Sequence, residues 1–241
     1  MNFIKTLGLS TYYQMLIFTR LKQAVFFTLF FPIFLYVVFN ALWGQTDESY
    51  AFYLLTGVIS MLIASDGFFA IGPVVKQFYA SGFIKYVKKM PVSVLTHFLA
   101  LVLSRFAILA IEILFLVLLG TILFHVPMTV GGLLNILFGA IIGLSIFAFL
   151  GLSLSFLDLK SSGEKSITSI LYFVMLFTSE AFYPSKMLNP MIGKIGDFLP
   201  MNGILSIMRP EVEQNWIVLL LWIIIPLVAF IVLFNRSKIS R

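Results

Sequence analysis

This chain contains no cysteine and only two histidines, His97 and His125. Disulfides, thiolate metal sites and thiol redox chemistry are excluded, and no histidine cluster can hold a metal. Charge is scarce, with Asp, Glu, Lys and Arg making up 11% of the residues. The motifs H-E-x-x-H, G-x-S-x-G and G-x-G-x-x-G do not occur, nor does the phosphate-binding loop G-x-x-x-x-G-K-[ST]. The chain therefore has no P-loop of its own for ATP. It also lacks paired reactive residues at matched depth, as an intramembrane protease would need. The sequence does not read as an enzyme, and it carries no cofactor site.

Apolar residues are abundant instead. The hydrophobic share is 61%, with 27 Phe among 241 residues. Six apolar runs span 24–43, 50–72, 95–124, 130–157, 167–182 and 216–234. About twenty helical residues cross a hydrocarbon core of roughly 30 Å. The expected fold is an all-α membrane protein of six transmembrane helices, forming one domain over 1–241. Lys5, Arg20 and Lys22 precede the first run as they would in a signal peptide. That run is too long for one and no small-x-small cleavage site follows, so it reads as a permanent span. No lipidation signal is visible at either end. The net charge of +6 lies in short segments beside spans, where it sets topology and does not point to nucleic acid.

The basic residues fix an orientation. Lys5, Arg20, Lys22, Lys76, Lys85, Lys88, Lys89, Lys160, Lys165, Arg236, Lys238 and Arg241 fall on one side, and Lys186, Lys194 and Arg209 on the other. By the positive-inside rule both termini are cytoplasmic, in a cell inner or plasma membrane. An even number of spans is then required, and six satisfies it. Trp43, Tyr50 and Trp216 flank outer ends of spans, where aromatic anchors belong.

The segments between spans are informative. In 1–22, Asn2, Thr6, Ser10 and Gln14 form a polar stripe, while Ile4, Leu7, Met15 and Phe18 take another face. This predicts an amphipathic helix lying along the membrane surface. Pro73 is expected to end the second span. After a Ser81-Gly82 turn, Phe83, Tyr86, Val87 and Met90 repeat at helical spacing, with Lys85, Lys88 and Lys89 opposite. That short helix has two readings, rest on anionic lipid or docking of a cytoplasmic partner. The polar gap 158–166 reads as a tight elbow or a partner contact. Prolines 184, 190, 200 and 210 divide the apolar stretch 184–215 into pieces too short to span. Short re-entrant helices capping the outer end fit it better. Gly139 and Gly143 form a small-xxx-small spacing that marks close helix packing, within or between subunits.

Three ionisable residues fall within spans: Asp66, Arg105 and Glu112. Such groups are costly in a membrane and seldom face lipid. Counted from the cytoplasmic ends, Asp66 and Arg105 lie roughly 9 and 15 Å deep, at 1.5 Å per residue. A charge pair linking spans two and three is expected. Glu112 follows Arg105 on the same helical face and is expected near the midplane. It reads either as a pathway residue or as a neutral, hydrogen-bonded acid.

This organisation resembles the permease subunits of type-two ATP-binding-cassette exporters over essentially the whole chain. Gly82, Lys89-Met90-Pro91-Val92-Ser93 and Ser179-Glu180-Ala181-Phe182-Tyr183-Pro184, followed by Leu188, Pro190 and Pro200, carry the likeness. Glu180 stands where the family usually has Gly. The resemblance implies a separate cytoplasmic ATPase that binds ATP and Mg, and a second permease copy. It also implies a coupling helix around Phe83, Lys85, Tyr86, Val87, Lys89 and Met90. Glu180 is then either a solvated helix end or part of the outer mouth of the pathway. An ion-gradient-driven transporter using Asp66 and Glu112 and a non-transporting anchor subunit are the alternatives. The substrate is not legible.

Overall fold

The computed structural model describes residues 3–44, 48–87, 89, 93–157, 161–209 and 214–236. Those residues form helices and turns, with no strand among them. In chain order the helices are α1 (Phe3–Arg20), α2 (22–43), α3 (48–80), α4 (Phe83–Val87), α5 (Val94–Leu123), α6 (Val130–Ser155), α7 (Ser161–Thr178), α8 (Ser185–Leu188), α9 (Pro190–Phe198), α10 (Pro200–Met208) and α11 (Trp216–Arg236). Five of these, α2, α3, α5, α6 and α11, are long and apolar enough to cross a membrane. The protein is an all-α membrane protein.

The fifth expected span coincides with α7 but is shifted. The polar segment Ser161 to Ser166, expected in a loop, forms its first turns. Glu164 and Lys165 there make the 18-residue helix only partly apolar.

Pro73 does not end the second span. α3 passes through it and continues to Ala80. The reason is a π-helical turn, Asp66–Ile71, directly ahead of the proline. Proline has no N–H to donate and its ring crowds the carbonyl one turn back. Widening that turn removes the conflict without breaking the helix. α2 repeats the device, with a π turn at Phe26–Phe30 followed by Pro32. Ser93 and Thr129 cap α5 and α6, their hydroxyls accepting the N–H of Thr96 and of Gly132, each at 3.0 Å.

α3 is the central helix, with Leu54, Leu55, Val58, Ile59, Ile63 and Phe68 fully buried. It meets α6 at backbone distance. A Cβ on Gly72 would collide with the backbone carbonyl of Gly151, and one on Gly151 with the carbonyl oxygen of Gly67. The Gly139 and Gly143 spacing also packs within the chain. A Cβ on Gly139 would meet Met208 at 2.9 Å, and one on Gly143 would meet Ile63 at 2.9 Å. The buried helix α10 therefore enters the bundle beside α3 and α6. α11 crosses α6, where the Ser153 hydroxyl donates to the Pro226 carbonyl at 2.8 Å. One end of the bundle, the basic end, carries α1 and α4; the other is capped by α8 to α10.

Candidate functional site

An aromatic cleft of about 860 Å³ opens between α2, α3 and α7. α2 lines it with one stripe at every fourth residue: Phe27, Phe31, Leu35, Phe39 and Trp43. Residues four apart share a helix face, so a single face of α2 supplies this wall. α7 gives Tyr172, Phe173, Leu176 and Phe177, and α3 gives Tyr50 and Met61. Phe182, Tyr183 and Pro184 close the capped end. Phe27, Phe173 and Phe177 remain 51–56% exposed. Among the described residues no charged side chain lines the cleft. An exposed apolar surface of this kind on a helical bundle suits lipid, an apolar ligand or another protein.

At the basic end, α3 passes through a turn at Ser81 and Gly82 into α4. Gly82 has a φ of 71°, a left-handed conformation that glycine adopts without strain. Phe83 packs between Phe78 and His97, with ring centroids 5.2 Å from each. The exposed face of α4 differs from that expected for a docking helix. Val87 and Ile84 turn inward and are buried, whereas Tyr86 is 65% exposed beside exposed Lys85 and Lys89. A five-residue helix has too few apolar positions to serve both the bundle and a partner. Met90 lies outside the described residues. α1 packs along α5. Its polar stripe faces the protein: Thr6 is buried, and Gln14 lies 3.5 Å from the His97 ring nitrogen. Ile4, Leu9, Tyr12, Tyr13 and Ile17 face outward, the arrangement expected of a helix resting on lipid.

The family model of the ABC-2 type transporter matches residues 6–210. The chain belongs to the ABC-2 type transporter family. A comparison with curated proteins finds no match. As an ABC-2 permease chain it is a multi-pass membrane subunit of an ATP-binding-cassette transporter. The matched segment takes in α1, the cleft and α10, and stops short of α11.

The remaining charged residues of this ABC-2 chain are placed as follows. Asp66 and Arg105 do not form the expected ion pair. Among the described residues the ion pairs are Lys76–Glu164 and Lys186–Asp197. Arg105 turns toward α1, its guanidinium carbon 5.1 Å from the Phe18 ring centroid, while staying within electrostatic reach of the Asp66 and Glu112 carboxyls. Asp66 Oδ2, Arg105 Nε and both Glu112 carboxyl oxygens are buried without a hydrogen-bond partner. Glu112 borders a narrow void against Thr28 and Pro32 of α2 and Leu62 of α3, outside the aromatic cleft.

Glu180 also lies outside the cleft. It borders a polar cavity of about 560 Å³ at the capped end, with Lys186, Asp197, Asn202 and Arg209. Its backbone N–H donates to Asn202 at 2.8 Å and its carbonyl accepts from Arg209 at 2.9 Å. Sequence reasoning treats Arg209 only as one of the few outer charges, yet it is the main tie of the cap. Its guanidinium donates to the Thr56 hydroxyl at 2.8 Å and to the Tyr53 carbonyl at 2.9 Å. It also stacks 3.8 Å over the Tyr53 ring. A lone arginine beside Pro210, in an otherwise apolar stretch, is the available signal. The Lys76–Glu164 pair between α3 and α7 escapes sequence reasoning too, because both residues read as charges between spans.

Proposed function

We propose that this chain is the membrane-spanning subunit of an ATP-driven exporter, and that two copies together build the substrate pathway. α7 is taken as the sixth span, which leaves both termini in the cytoplasm in agreement with the basic residues. ATP and Mg bind a separate cytoplasmic ATPase that docks on Tyr86, Lys85 and Lys89. The cleft between α2, α3 and α7 is the observation that carries this reading. It is aromatic, no charged side chain lines it among the described residues, and α3 continues from its wall toward α4 at the basic end. Its lining suits an apolar or ring-bearing part of a substrate, with CH groups against aromatic faces.

The test is purification of the full chain in detergent together with its host membrane proteins. A co-purifying ATPase, active with the chain and lost on Tyr86→Asp, is the expected result. Tyr86 is the informative position because its ring is exposed, whereas Val87→Asp would bury a charge in the chain itself. ATP turnover by the rigorously pure chain, or a Tyr86→Asp variant that holds the ATPase as the parent does, would overturn the reading.

A further inference from the structure

Two layers hold α3 against α7, one at the floor of the cleft and one below it. The first is aromatic: Tyr172 of α7 lies 5.5 Å from Phe69 and 6.4 Å from Phe68 of α3, ring centroid to ring centroid. The second is the ion pair of Lys76 and Glu164. The spacing is symmetrical. Lys76 follows Phe68 by eight residues, and Glu164 precedes Tyr172 by eight, as antiparallel helices require. At 1.5 Å per residue the pair sits about 12 Å below the aromatic layer, toward the basic end. Among the described residues it is the one ion pair that joins two long helices. Its side chains are 19% and 9% exposed, so water competes weakly for them.

Its place in the chain is the second observation. Lys76 stands five residues before the Ser81–Gly82 turn that leads into α4. Five residues to its other side lies Ile71, the end of the π turn Asp66–Ile71, and beyond that the cleft wall at Met61. A displacement of α4 thus reaches the ion pair through one uninterrupted helical segment, Gly72–Ala80.

We propose that Lys76 and Glu164 form a latch that shuts the basic end of the aromatic cleft and opens when α4 moves. This rests on the reading of the cleft as part of the transport path. The latch and its release regulate access to the cleft from the cytoplasm; the pair itself does not touch substrate.

The test uses the natural absence of cysteine. Met61→Cys places a single thiol in the cleft wall, and a membrane-impermeant maleimide is applied from the cytoplasmic side of vesicles holding the full chain. Lys76→Met/Glu164→Leu removes both charges and strands neither, so it avoids the destabilisation that a single neutralisation would bring by leaving one charge unpaired. Labelling of the introduced thiol in that double variant should rise about tenfold, the effect of about 1.4 kcal/mol of lost closure. Its melting temperature should stay near that of the parent, which separates a latch from a purely structural brace. The exchanged pair Lys76→Glu/Glu164→Lys should return labelling to the slow rate. Parent-like labelling in the double neutral variant would overturn the latch, as would an exchanged pair that labels as fast as the neutral one. The labelling needs neither ATPase nor substrate. A missing partner ATPase would therefore sink the permease reading on separate evidence.

Discussion

The two faces of α3 are built on opposite rules. Toward α6 and α10 it presents glycine and branched aliphatic side chains, and backbones come within van der Waals contact. Toward α2 and α7 it meets large aromatic rings that leave open space between them. The burial follows: 83% of the most apolar stretch of α3 is buried inside the chain, against 17% for α2. In a bilayer, apolar side chains gain little by leaving lipid, so helices adhere through close packing and polar ties. The α3–α6 face has the close packing, and Arg209 beside α10 adds polar ties to α3. On the other side the Tyr36 hydroxyl of α2 donates to the Ala51 carbonyl of α3 at 3.3 Å, but the cleft parts α2 from α7, and the adhesion of α7 to α3 is left to the aromatic layer and ion pair toward the basic end. α3 thus presents a rigid wall on one side and a more open one on the other.

The sharpest way to break this contrast is to fill the tight face. Gly67→Leu or Gly151→Leu must push whole helices apart, because the clashing atoms are backbone and not flexible side-chain ends. Overpacking of this kind costs about 1–3 kcal/mol and more where backbone must move. The expected result is loss of monodisperse protein on size-exclusion chromatography. Gly163→Ala and Gly8→Ala, with open space at the Cβ position, should behave as the parent.

Arg209 comes next. It ties α10 to α3 and to the end of α7 with three hydrogen bonds and a stacked ring. Arg209→Met should cost about 3 kcal/mol, since two carbonyls and a hydroxyl lose a charged partner. Arg209→Lys should recover little, because one ammonium cannot reproduce the planar fork. Thermal denaturation of the purified chain reads both. If lysine restores the full midpoint, the geometry of the fork does not matter.

How far sequence alone reaches differs between the faces. The apolar runs and the basic residues predict the helical membrane architecture, and prolines 190 and 200 mark the short cap helices correctly. Residues 139 and 143 signal close packing, though not with which helix. Pro73 misleads because a π turn has no sequence signature comparable to the proline that it accommodates. The aromatic stripe of α2 is hidden in a run that is apolar on every side, where periodicity has no contrast. For ionisable residues the sequence offers depth alone. Depth sets Asp66 and Arg105 at compatible levels, and the two do interact electrostatically, but depth cannot show that the guanidinium lies over Phe18 of α1 and makes no direct ion pair with Asp66. The pairing of Lys76 with Glu164 joins residues 88 apart, and only the fold brings them together.

On the open face the same size of truncation should matter far less for folding. Phe173 is 51% exposed and lines the cleft. Phe173→Ala should therefore shift stability by no more than about 0.5 kcal/mol, as surface substitutions do. A buried aromatic on the tight face, such as Phe147→Ala at 0% exposure, should lose about 3–5 kcal/mol. Equal losses at the two positions, measured by thermal unfolding, would mean that the cleft is packed in solution and the contrast fails.

The smallest effect is expected at the surface of the cap, where neither rule applies. Lys186 and Asp197 pair at 2.9 Å with side chains about half exposed, at 47% and 48%. The hydrogen bond from Lys186 to Asp197 raises the lysine pKa above its ordinary value. A raised lysine pKa in the folded state stabilises the fold fully below the unfolded value, about 10.4, and the gain is lost as pH climbs through the folded one. The pair is solvent-screened, so its worth is at most about 0.5 kcal/mol and should fall with added salt. Asp197→Asn keeps the acceptor that Asn202 meets at 3.3 Å while removing the charge. Its melting midpoint at neutral pH should lie within about two degrees of the parent, given ~2–4 °C per kcal/mol for a chain of this size. Any difference should vanish above the lysine titration, where the parent has lost its pair as well. A larger drop, persisting in alkaline buffer, would place the cap among the tightly built parts of the molecule and move the boundary between the two faces outward to α9.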